Sequence, residues 1–248
     1  MPVARSKNFK PNQSAEAQFA KALKQVARNA AHVVEIHVDG ATIRNEKEML
    51  RVLTEYSERL GPWAARQSAK MLERVAKKNK TAWKNRSKEI HQAMQTTVAR
   101  AATGKRAAEL MQEQIDLVKS IPMRAAERAQ KLALEAVYNG TRSSEIAAEL
   151  QRQGKVSEND AERIARTEVA RSNSVITQTR AQAAGSRQYI WRNSGDAAVR
   201  EAHEFRKGKK LDGQVFSWDS PPELDDGTVG HPGTFPNCRC YPEPFFPD

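Results

Sequence analysis

Apolar residues recur at helical spacing along most of the first 185 positions and then give way to short β-prone runs. Met1 to Gln13 carries Pro2, Pro11 and no periodic pattern, which predicts a loose arm. From Ser14, Phe19, Leu23, Val26 and Ala30 fall on one helix face. Val33 to Val38 is β-branched enough to form a strand instead, turned by Asp39-Gly40, and both readings stay open. Asn45 with Glu48 resembles a capping box opening a helix that carries Met49, Val52, Leu53, Tyr56 and Leu60. Gly61-Pro62 stops it and starts the next, because proline fits a first helical turn.

Pro62 to about Thr103 reads as one long helix or a broken pair, with Trp63, Met71, Leu72, Val75, Trp83, Ile90, Met94 and Val98 as its sparse apolar positions. Gly104 is expected to end it. Leu110, Met111, Ile115 and Val118 mark another helix up to Ile121-Pro122, and a further one runs to Asn139-Gly140. Ser143 to Gln153 reads as a short helix closed by Gly154. Ser157, with Asp160 following, is expected to cap a helix carrying Ile164, Thr167, Arg171 and Val175 to Gly185.

The texture then changes. Tyr189-Ile190-Trp191 centres a predicted strand, Asp196 to Phe205 reads as a short helix, and Leu211 to Phe216 as a turn into a strand. Seven of the eleven prolines lie at or after Pro221, which argues for a loop-built tail. The expected fold class is α+β and predominantly α-helical. An arm (1–13) and an extended helical region (14–156) precede a small α+β C-terminal module (157–248).

Charge sharpens this picture. Between Arg66 and Lys88 stand nine basic residues (Arg66, Lys70, Arg74, Lys77, Lys78, Lys80, Lys84, Arg86, Lys88) and one acidic, Glu73. From Lys210 to Asp248 there are two basic and seven acidic residues, so a polyanionic partner is expected at one end only. The basic run is a candidate nucleic-acid surface; the bland alternative is a solvated helix face. No run reaches the roughly 18 apolar residues of a membrane helix, and the N-terminus lacks the apolar core of a secretory signal. No membrane partner is therefore expected, and the chain is read as cytosolic at synthesis.

Both cysteines and two of the five histidines lie in the last 46 residues. His203, His231, Cys238 and Cys240 can supply the four ligands of a tetrahedral, structural zinc; the alternative is two reduced thiols beside a proline-rich loop. A disulfide within Cys238-Arg-Cys240 would be badly strained. Arg166 and Glu168, two apart, do not share a helix face, so each needs a partner elsewhere, such as Arg200, Asp196 or His203. Glu168 and His203 as acid and base, with Arg200 on a phosphate, form a nuclease or transferase alternative; an ion-pair network is the structural one. Tyr189 and Trp191 share a strand face, as a stacking platform or, the better reading, as core. His32, His37 and His91 have no such companions.

The motifs Ala165-Arg-Thr-Glu168, Tyr189-x-Trp191, Asp196-x3-Arg200-x2-His203, Leu211-Asp-Gly-Gln214 and His231-Pro…Asn237-Cys-Arg-Cys240 occur in this order. The series resembles the tailed-bacteriophage head-morphogenesis, or minor head protein, family of the phage Mu F type. It covers about Ser157 to Pro244, and Ile121-Pro122 and Asn139 to Ile146 look similar to the region upstream in such proteins. The resemblance places His203, Cys238 and Cys240 at matching positions. It implies a low-copy, non-enzymatic protein of the phage head, in the host cytoplasm during assembly and then in the virion. Its implied partners are the portal protein, capsid or scaffold proteins, and phage double-stranded DNA, which it would bind without sequence preference during packaging or ejection. A plain nucleic-acid-binding protein is the remaining alternative.

Overall fold

A computed structural model describes residues 9–39, 42–90, 103–139, 143–195 and 199–247. Met1 to Asn8 of the predicted arm, the turn residue Gly40, His91, Met94, Val98, Gly140 and the motif residue Asp196 lie outside them. The described elements bear out the expected class, with long helices first and a small sheet at the C-terminal end.

Helix α1 (Gln13–His37) absorbs the ambiguous Val33 stretch; only β1 (Val38–Asp39) is extended, paired antiparallel with β2 (Thr42–Ile43). Asn45 accepts from the Glu48 N–H at 3.1 Å and caps α2 (Glu46–Arg59). The Glu48 carboxylate turns to Arg51, so only half of a capping box forms. Helix α3 (Gly61–Ile90) opens at Gly61-Pro62 as expected.

Two expected breaks, at Pro122 and at Gly154 to Ser157, are absent among the described residues; residues 91–102, before Gly104, lie outside them. Gly104 lies in the first turn of α4 (Thr103–Asn139), and Pro122 lies within the same helix. Proline there forfeits one backbone bond, but Val118, Ile121, Ala125 and Ala126 are buried on both sides of it and hold the helix together. Helix α5 (Ser143–Ala183) runs through Gly154 and Ser157 without interruption. Ser157 is buried; its hydroxyl donates back to the Gln153 carbonyl at 2.9 Å and accepts from Arg128 at 2.8 Å, a mid-helix role in place of the expected cap. A division at 156/157 therefore falls inside a helix.

Two compact units gather instead from interleaved stretches. The helical unit comprises Ala17–Ala69 and Met111–Ala165. Ala30, Val34, Met49 and Leu53 meet Ala125, Ala126 and Ala129 in its core, small side chains that let helices approach closely. Ser57 donates to the Lys119 carbonyl at 2.8 Å, and Arg128 pairs with Asp160 at 3.1 Å.

The other unit holds the described residues of Met1–Glu16, Lys70–Leu110 and Arg166–Asp248. Its antiparallel sheet has the order β6 (Val215–Ser217), β3 (Gln188–Arg192), β7 (Tyr241–Phe245). Pro242 and Pro244 are tolerated because β7 pairs with β3 alone and needs no donors on its other side. Helix α6 (Glu201–Glu204) and the hairpin of β4 (Phe205–Arg206) and β5 (Lys209–Lys210) connect β3 to β6. The end of the predicted arm is anchored: Phe9 is buried edge-on against Trp83 at 5.5 Å between ring centroids, and Asn173 donates to its carbonyl at 2.8 Å. Trp83, set among lysines, thus packs inward, meeting Phe246 at 6.3 Å on the other side.

Candidate metal centre and basic helix face

Strand β3 is central in its sheet, so both Tyr189 and Trp191 are fully buried and serve as core. Tyr189 meets Trp218 at 4.5 Å and Phe216 at 5.9 Å. Trp191 stands edge-on to His203 at 6.0 Å, while Phe235 lies 4.9 Å from the same imidazole. These two rings wall in a histidine that α6 delivers to the interior.

Facing it are the two thiols. His203 Nδ1 lies 3.3 Å from Cys238 Sγ and 3.9 Å from Cys240 Sγ. All three side chains are buried, with their ligand atoms within 4.8 Å of one another. Both cysteines are free. The Cys240 thiol donates to Cys238, and His203 and the Gly233 N–H also favour charge there, which holds Cys238 well below the usual thiol range. The shared proton and burial push Cys240 up. A sulfur metal ligand is deprotonated, and the contacts at Cys238 favour that form.

His231 does not join this cluster. Its Nδ1 lies 3.0 Å from the Tyr189 hydroxyl, and its ring also bonds the Trp218 backbone. The neutral imidazole accepts from Tyr189 and donates to the Trp218 carbonyl. Burial lowers its pKa, opposed by that backbone bond.

The Arg-Thr-Glu motif of α5 positions the cysteines from outside. Arg166 donates to Glu16 at 3.0 Å and to the Asn237 side chain at 2.6 Å, while Thr167 accepts from the Asn237 N–H at 2.8 Å. Asn237 sits at φ 59°, a left-handed conformation asparagine tolerates, and turns the chain into Cys238. Gly233 at φ 89° lies so close to α5 that a Cβ would stand 3.1 Å from the Ala170 carbonyl oxygen and 3.0 Å from that of Cys240. Arg200 closes the other side by donating to the Pro236 carbonyl.

Arg166 finds Glu16 and Asn237, and Glu168, 3% exposed, lies 4.0 Å from Arg171. Thr167, Gly233 and Asn237 are positioning residues beyond the expected site residues. Their signals were present: Pro-Gly marks the turn, and asparagine immediately before Cys238 favours a left-handed position.

The basic run lies along α3. At 3.6 residues per turn, Arg66, Lys70, Arg74, Lys77, Lys80, Lys84 and Lys88 fall within about a third of its circumference. Arg66, Lys70, Arg74, Lys77, Lys80 and Lys84 are exposed, with Glu73 interrupting them. Lys78 points away and donates to the Pro11 carbonyl at 3.1 Å, and Arg86, half-buried, also lies off this face. The Lys88 side chain lies outside the described residues.

Of the ordered motifs, the Arg-Thr-Glu and Asn-Cys-Arg-Cys stretches meet where Arg166 and Thr167 hold Asn237. Residues 127–242 match the family described as Phage Mu protein F like protein, and the chain carries a Mu F-like region there. That region reaches upstream of Ser157 into α4. An uncharacterised protein of Haemophilus influenzae is 35% identical over 130 residues, covering 52% of this chain and 27% of the relative. The chain thus spans about a quarter of the length of that curated relative. No solved structure matches the chain.

Proposed function

We propose that the chain is a minor head protein of a tailed bacteriophage, acting in head assembly, portal association and DNA packaging or ejection. The Mu F-like match over residues 127–242 carries this reading. Its partners are the portal protein, capsid or scaffold proteins, and double-stranded phage DNA met by the α3 face. The protein works in the host cytoplasm during assembly and ends in the head interior. No helix among the described residues is long and apolar enough to cross a membrane.

The nuclease or transferase alternative has less support. Glu168 is buried beside Arg171 and does not line the cavity at His203, and the His203 imidazole faces two thiols. The reading is tested on purified phage heads. Quantitative mass spectrometry should find the chain at low copy, and detergent-released portal should carry it along. Mature heads that lack the chain would overturn the assignment.

A further inference from the structure

We propose that His203, Cys238 and Cys240 hold one zinc ion through three protein ligands, with an exchangeable fourth ligand entering from the cavity beside them. Tetrahedral zinc with Zn–S near 2.3 Å and Zn–N near 2.0 Å has ligand–ligand edges of about 3.5–3.8 Å. The observed separations of 3.3 and 3.9 Å from His203 Nδ1 to the two sulfurs straddle that range. The two nitrogen–sulfur edges are thus close to those of such a tetrahedron, and all three donors lie within 4.8 Å of one another.

Donor chemistry selects the ion. Two sulfurs and an imidazole suit zinc, whereas magnesium and calcium require oxygen ligands. The cluster is built rather than incidental: its loop is turned at Gly233 and Asn237 and clamped to α5 by Arg166 and Thr167. A zinc ion would sit where the two sulfurs and the imidazole converge. It would tie α6 to the terminal loop across the 35 residues that separate His203 from Cys238.

The fourth position is the second part. His231, the remaining donor expected from the sequence, is engaged by Tyr189 and Trp218. A cavity of about 30 Å³ is lined by His203, Cys238 and Cys240 together with Arg166, Arg200 and Arg239. That is space for one or two water-sized groups. Its arginines give it a positive rim, so the position takes water and exchanges it for a small anion. Three protein ligands with one open position is the arrangement in which zinc polarises what it binds.

The test uses the full chain purified without chelator. Elemental analysis should give about one zinc per chain, falling to near none in Cys238→Ser and His203→Ala, while His231→Gln keeps it. Should either variant fail to fold, titration of reduced, metal-free wild-type protein against a chromophoric zinc chelator reads the affinity directly. A metal-free preparation with no affinity in that competition overturns the site. Cobalt replacement then probes the open position: sodium azide should shift the cobalt d–d bands in a saturable way. Bands indifferent to azide would show a closed fourth position and overturn that part. None of these readouts depends on the phage assignment.

Discussion

His231 was expected among the metal ligands by composition, and its actual neighbours give it a different, measurable role. In the unfolded chain an imidazole titrates near 6.5. In the fold, burial beside Tyr189 and Trp218 holds its pKa below that. The unfolded state therefore takes up the proton first as pH falls. Stability associated with the neutral ring is full above about pH 6.5 and declines as pH drops through the folded value. Melting curves should show wild-type protein losing more stability between pH 7 and 5.5 than His231→Gln. Parallel curves would refute this account.

At the scale of elements, α3 carries two faces with different duties. Met71, Val75, Asn79 and Trp83 are buried; Asn79 donates to Thr177 at 2.7 Å and accepts from Arg180 at 2.6 Å. On the proposed reading the exposed lysine face opposite would meet phosphates in a sequence-independent way, each neutralised phosphate releasing a counterion. The slope of log affinity against log salt should thus fall by roughly 3 in magnitude when Lys70, Lys77 and Lys80 are all changed to Gln. Fluorescence anisotropy on duplex DNA of unrelated sequences measures it. An unchanged slope would remove DNA from this face.

Helix ends were the least legible feature at this scale. Asn45 was readable because a cap is a local bond between a side chain and the N–H three residues on. Pro122 misled because a local stop signal is worth about 3 kcal/mol, and burial of Val118, Ile121, Ala125 and Ala126 around it outweighs that.

For the whole molecule, the interleaved units bear on what can fold alone. A fragment of residues 157–248 would contain the sheet and the cysteine loop but lack Phe9, Asn79 and Trp83. Losing buried aromatic partners costs about 3–5 kcal/mol each, against a typical total of about 5–15 kcal/mol. The fragment should show no near-ultraviolet circular dichroism and no cooperative melt, whereas the full chain shows both. A cooperatively folded fragment would refute this.

By itself, the sequence determined the fold class, the strand through Tyr189 and Trp191, the run of basic residues, the ordered motifs and, among four expected donors, the three residues of the proposed metal site. Each is written in periodicity, composition or spacing, which local physics reads directly. Tertiary structure alone decided that His231 turns to Tyr189, that Arg166 and Thr167 clamp Asn237, and that Phe9 and Trp83 belong with the C-terminal sheet. The His231–Tyr189 and Asn237–Thr167 pairings alone join residues 42 and 70 positions apart. They follow from which buried groups must satisfy one another once the chain has packed, and no local pattern encodes that.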